Sequence, residues 1–131
     1  MILFALFATM ALSSSQPADP RSANDDPDLA ACLAAPSPSD GGEQVTACYE
    51  SAVVRADAAI VAADKALAAE ANKRRLGQEL ANGMTGFRRY RDSWCAFEHG
   101  FEGDPGARTA TGLMCRYEVS RFQLYRLTHA N

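Results

Sequence analysis

Residues 43–80 read EQVTACYESAVVRADAAIVAADKALAAEANKRRLGQEL, and this stretch decides the fold class. Val45, Tyr49, Ala52, Ala56, Ile60, Ala63 and Leu67 recur at steps of three and four, the spacing of one helical face. Alanine, the best helix former, fills much of the remainder, and its small side chain lets a neighbouring helix come close. Asp64, Lys65, Glu70, Lys73 and Arg74 supply the wet side. One long amphipathic helix is expected from Glu43 to about Leu80, with Asn82-Gly83 marking its end or a kink.

Downstream, Phe87, Tyr90, Trp94 and Phe97 also fall at steps of three and four. They predict a second helix from about Thr85 to His99 whose aromatics share one face and anchor the core. Gly100 to Gly106 holds an Asp-Pro-Gly turn signal. A last helix is expected from Arg108 to Leu127, burying Leu113, Tyr117, Ser120, Leu124 and Leu127. Upstream, Leu29 to Ala35 allows two helical turns with Asp28 or Asp26 near the N-cap. Pro36 and Pro38, followed by Gly41-Gly42, then force a loop. No run alternates long enough to make a strand. The expected fold is all-α: a small bundle of three main helices plus a short N-terminal one, over residues 29–131.

The chain starts differently. Ile2 to Leu12 is one apolar run followed by small residues, too short to span a bilayer, which takes roughly 20 apolar residues. It has the length of a signal-peptide apolar region, although no Lys or Arg precedes it. Residues 1–15 are expected to be a signal peptide, and residues 16–28, rich in Pro, Ser, Asn and Asp, a disordered arm. A buried N-terminal helix is the bland alternative. The mature chain is expected in the periplasm or outside the cell, with no stable membrane insertion.

Cys32, Cys48, Cys95 and Cys115 are the four cysteines. An even count in a short exported chain signals disulfides, with three pairings open. Local spacing favours Cys32–Cys48 and Cys95–Cys115, each closing about 15 to 20 residues and worth roughly 3 kcal/mol. Cys95→Ser is expected to do more harm than Cys32→Ser, because Cys95 lies among the aromatics. A metal site is disfavoured: no Cys-x-x-Cys occurs, and His99 and His129 stand at no ligand spacing from the cysteines. No cofactor is expected.

A net charge of −3 and a pI near 5.3 exclude a general polyanion binder. Arg88, Arg89 and Arg91 lie among Phe87, Tyr90 and Trp94, which superficially resembles a nucleic-acid surface. An amphipathic helix with arginines outward or over ring faces explains the pattern more simply, and no nucleic-acid partner is expected. Asp92 is placed to pair with an arginine on the last helix. Nucleophile-elbow, phosphate-loop and zinc-protease motifs are all absent, so the chain is not expected to be an enzyme. Glu98 and Glu118 are the one carboxylate pair that a cell-wall hydrolase could use.

The most specific text is Phe87-Arg88-Arg89-Tyr90-Arg91-Asp92-Ser93-Trp94-Cys95. It resembles the Trp-x-x-Tyr-Arg-Asp-x-x-Cys signature of small exported bacterial proteins of the LprI-like lysozyme inhibitor family. Cys32, Cys48, Ala56-Asp57 and Cys115 with Ser120 fit the same pattern in outline, over roughly Ala30 to Leu127. Phe87 replaces the family's Trp, Met84 its Gln and Gln123 its Arg, while Ala58-Ala59 stands for Leu-Asn. The resemblance implies a non-catalytic protein that binds a protein partner, lysozyme in the first instance. An acidic surface would speed encounter with a basic enzyme. Glu98, His99, Glu102 and Asp104 are the expected contact residues, away from the arginines. A cell-envelope interaction module without lysozyme contact, binding through a groove between Ala-rich helices, is the alternative.

Overall fold

The computed structural model describes residues 25–37 and 41–130. It contains helices α1 (Pro27–Ala34), α2 (Gly42–Lys73), α3 (Gly77–Phe101) and α4 (Arg108–Thr128), and no strand among the described residues. The all-α bundle of three long helices and one short one is therefore present. The signal peptide expected over 1–15, and the arm as far as residue 24, lie outside the described residues. The arm's last residues belong to the fold instead. Asp26 is the N-cap of α1, its carboxylate accepting the Leu29 N–H at 3.0 Å, and Pro27 opens the helix. At the other end, the Gln44 side-chain amide donates to the carbonyls of Cys32 and Ala35, so α2 satisfies groups that α1 leaves open.

The break between α2 and α3 falls earlier than expected. α2 stops at Lys73, and Arg75 takes a left-handed φ of 61°. The Leu76 N–H reaches back to the Ala71 carbonyl at 2.8 Å and the Arg75 N–H to that of Asn72 at 3.1 Å. These are the paired closing bonds of a left-handed helix cap, with arginine where glycine is usual. Asn82-Gly83, the expected break, lies inside α3. Leu80, Met84 and Phe87 all pack with Ile60 and Leu127, and this tertiary contact carries the helix through a glycine that faces open space. That glycine costs about 1 kcal/mol relative to alanine.

Buried side chains form two clusters. Near α1, Leu29, Cys48, Tyr49, Ala52 and Tyr117 pack together, with Tyr49 and Tyr117 edge to face at 5.8 Å. At the far end, Ile60, Met84 and Leu127 form the second. The α2 stripe behaves as its spacing implies, and α4 lies along its alanines, so Ala52 and Ala56 are covered from within the chain. On α4, Tyr117, Ser120 and Leu127 are buried, with Leu113 and Leu124 partly so.

A polar layer separates the clusters. Arg91 of α3 donates to Asp57 of α2 at 2.6 Å and to Ser120 of α4 at 3.1 Å, and the Ser120 hydroxyl donates to Asp57 at 3.4 Å. Ser120 is fully buried and Arg91 nearly so. Arg91 also touches Asp92, which pairs with Arg116 of α4 at 3.5 Å, the α3-to-α4 tie expected from the sequence.

Both disulfides are Cys32–Cys48 and Cys95–Cys115, and no described cysteine is free. The structure gives the first bridge more weight than expected, because Cys32 packs with Leu29 in the larger cluster, while Tyr90, Trp94 and Phe97 near Cys95 are exposed rather than core. An eight-residue helix has little stability alone. The paired variant Cys32→Ser/Cys48→Ser should thus lose the loop-closure term, roughly 3 kcal/mol, and the docking of α1 with it. It should melt at or below Cys95→Ser/Cys115→Ser in thermal denaturation followed by circular dichroism. A clearly milder loss would make α1 peripheral.

Arg91→Ala removes the hub of the polar layer. The partner Asp57 side chain is 43% exposed and regains water, so the loss should be about 2 kcal/mol, below that for a fully buried pair. Urea denaturation measures it, and Arg91→Lys should restore only part, since the guanidinium meets Asp57 and Ser120 through Nη1 and Asp92 through Nε, and lysine has one nitrogen.

Candidate functional site

On a helix each residue is rotated by about 100° from the one before it. Met84, Arg91 and Cys95 form the buried stripe of α3. Tyr90 and Trp94 each stand one position before a buried residue, and so turn away to the side of that stripe. They do not anchor the core. Tyr90 is 57% exposed, Trp94 44%, Phe97 54% and Phe101 79%. Only Phe87 of the expected aromatic face is half-buried, with the Arg91 guanidinium 5.6 Å from its ring. The exposed rings make a continuous strip along α3: Tyr90 to Trp94 at 6.4 Å, Trp94 to Phe97 at 5.4 Å, Phe97 to Phe101 at 5.5 Å. The spacing that places these rings together was legible in the sequence. Which side of α3 faces the bundle was not.

Beside the strip, α3 and α4 leave a groove of about 290 Å³. Tyr90, Trp94 and Phe122 wall it, and Cys115 and Val119 line it from α4. Two carboxylates lie on it, Glu98 and Glu118. The Trp94 indole N–H donates to Glu98 at 2.6 Å, which holds ring and carboxylate side by side. Phe122 is 45% exposed, with the Arg126 guanidinium 5.9 Å from its ring.

Of the expected contact residues, Glu98, Glu102 and Asp104 follow one another along the end of α3 and its loop, while His99 faces another groove. Glu98 belongs to the aromatic groove. His99, the next residue, lies across the α3–α4 contact in a second groove with Thr109 and Arg116. There it covers Gly112, where an added Cβ would stand 3.2 Å from the His99 Cβ, a close approach of the two helices. Glu102 and Asp104 organise the loop into α4. Glu102 accepts from the Asp104 N–H at 3.0 Å and Asp104 from the Gly106 N–H at 2.9 Å. The Asp104 carbonyl also accepts the Ala107 N–H, closing the turn at the Asp-Pro-Gly signal. Beside the Ala-rich α2, α4 packs along one side, and a further groove of about 290 Å³ opens between α2 and α3 at Leu67, Ala71, Leu76 and Leu80.

Among the described residues, no group of three or more His, Cys, Asp or Glu side chains is placed to hold a metal ion. No described helix is long and apolar enough to cross a membrane. The paired cysteines offer no thiolate. What the site offers is flat aromatic surface with carboxylates at its edge.

A further cluster escaped the sequence because its members are far apart in the chain. The Tyr117 hydroxyl donates to Asp26 at 3.0 Å, and Arg55 pairs with the same carboxylate at 3.4 Å. Burial pushes the Asp26 carboxyl up. The Leu29 N–H, the Tyr117 hydroxyl and the charges of Arg55 and Arg121 outweigh it and hold the carboxyl below its ordinary value. Burial, reinforced by the Asp26 carboxylate, pushes the Tyr117 phenol up to about 12.

No protein-family profile, no curated protein and no solved structure matches this chain. Asp57, Arg91 and Ser120, far apart in the chain, meet in the polar layer. The Gln123 side-chain amide donates to the Met84 sulfur at 3.5 Å.

The Asp26–Tyr117 pair sets a pH dependence at both ends. Asp26 is depressed in the fold, so its contribution is present above its unfolded value, about 3.9, and lost as pH falls through the lower folded value. Tyr117 is raised, so its contribution is present below its unfolded value of about 10 and lost as pH rises towards about 12. Thermal denaturation across the pH range should show Asp26→Asn flattening the acid limb and Tyr117→Phe the alkaline one. Unchanged limbs would mean that the pair does not exist in solution.

Proposed function

We propose that this chain is an exported, non-catalytic binding protein that presents the aromatic strip of α3 to a protein partner, with lysozyme the partner that the resemblance suggests. The observation that carries this is the strip itself, with Tyr90, Trp94, Phe97 and Phe101 all left open. Contiguous exposed apolar surface marks interaction sites, and Trp and Tyr supply large contact area at little entropic cost. Two disulfides support an oxidising compartment, hence export. They also hold the helices before binding, which lowers the ordering cost of association.

The charge pattern favours a basic partner. The protein is acidic overall, at −3. Glu98 and Glu118 lie beside the strip, whereas Arg88 and Arg89 are each turned more than about 100° from Trp94 around α3. The contact surface is thus the aromatic groove side with Glu98, rather than the loop carrying Glu102 and Asp104.

Calorimetric titration with a basic animal lysozyme, together with residual muramidase activity, tests the reading. Wild type should bind, more weakly as salt rises, and Trp94→Ala/Phe97→Ala should bind at least tenfold more weakly with its melting temperature little changed. Binding by that variant equal to wild type would remove the strip from the function. No binding by wild type would remove lysozyme and leave the envelope interaction module to be tested.

A further inference from the structure

We infer that the α3–α4 groove beside Trp94 is a receptor for one cationic side chain, an arginine above all, presented by a basic protein partner. This rests on the aromatic strip being the working surface, and it assigns the chemistry that the strip recognises. The groove, at about 290 Å³, sits at the lower edge of ligand-pocket sizes and suits a single long side chain.

Its lining fits a guanidinium. Trp is the ring that attracts cations most strongly, and a planar guanidinium stacks on aromatic faces while its N–H fork meets a carboxylate. Trp94 and Glu98 are held together by their hydrogen bond, which fixes the carboxylate at the edge of the ring. Glu118 lines the same groove and makes no hydrogen bond or ion pair among the described residues. No Lys or Arg lines the groove to neutralise these carboxylates. Arg91 pairs with Asp57, Arg116 with Asp92, and Arg126 lies over the Phe122 ring, while Arg121, which makes no ion pair among the described residues, acts on Asp26 and Tyr117.

The chain also shows the chemistry in use on itself. Phe87 and Phe122 each carry an arginine at 5.6 and 5.9 Å. Trp94, the better cation acceptor, has none among the described residues and stands 44% exposed with a carboxylate at its edge.

Trp94 is the only tryptophan, so its fluorescence reports on the groove without a label. The full chain, exported and oxidised, is titrated with acetyl-Gly-Arg-Gly-amide and with the same peptide carrying citrulline, the uncharged isostere of arginine. The arginine peptide should give a saturating change at millimolar concentration, and citrulline should bind at least fivefold more weakly. Glu118→Gln, an isosteric surface change, should weaken the arginine peptide at least threefold and reduce its salt dependence. Equal binding of the two peptides would overturn the proposal. So would a response to N-acetylglucosamine oligomers in preference to arginine, which would make the groove a glycan site. A concentration-dependent dimer that buries Trp94 would overturn it in favour of a second copy. The two readings fail separately. Lysozyme binding that needs Trp94 and Phe97, with no arginine preference, keeps the strip and removes the cation site. Arginine binding without lysozyme binding keeps the groove and removes that partner.

Discussion

Arg91 is the side chain on which the arrangement of the three long helices depends. It extends from α3 between two apolar clusters and meets a carboxylate of α2 and a hydroxyl of α4 at once. A guanidinium taken from water needs its donors satisfied, and only one rotation and one height of each helix bring Asp57 and Ser120 within reach. The clusters supply attraction but little register, since alanine and leucine faces pack acceptably at several offsets. The polar layer selects among those offsets. Asp92, one residue on, continues the selection to Arg116.

The rotation of α3 that buries Arg91 has a consequence for the aromatic residues. Tyr90, Trp94, Phe97 and Phe101 cannot share the buried stripe with Met84, Arg91 and Cys95, because the two sets occupy different sides of one helix. The structure buries the smaller and more polar set and leaves the large rings outside. Stability alone would favour the reverse, since each ring would bring more apolar area into the core than the cysteine or arginine it displaced. The bundle makes up the difference with two disulfides and a capped N-terminal helix. A surface of this kind, rigid beneath and aromatic on top, is suited to binding.

The N-terminal helix shows how much long-range polar contact matters in a chain this short. α1 is held by one bridge, by Leu29 in the cluster, by Gln44 on its last carbonyls, and by Asp26 between Arg55 and Tyr117. Each of these links reaches a different point on α2 or α4. Together they make a peripheral-looking segment part of the core.

The sequence by itself determined the all-α class, the buried faces of α2 and α4, the disulfide pairing favoured by local spacing, and the turn at Asp104-Pro105-Gly106. These are local properties, set by helical period, cysteine spacing and turn chemistry within a few residues. It also placed Asp92 opposite an arginine of the last helix. It misplaced the α2–α3 break, because Asn82-Gly83 carried the usual stop signal while Arg75, which takes the left-handed position, carried none. It put the α3 aromatics in the core, because two stripes on one helix have the same period and a period does not say which stripe meets the bundle. Only the tertiary structure decided that, through the partners of Arg91, and with it the separation of Glu98 from His99 and the meeting of Asp26 with Tyr117. Those outcomes depend on which helix lies against which, a relation that no local window of sequence contains.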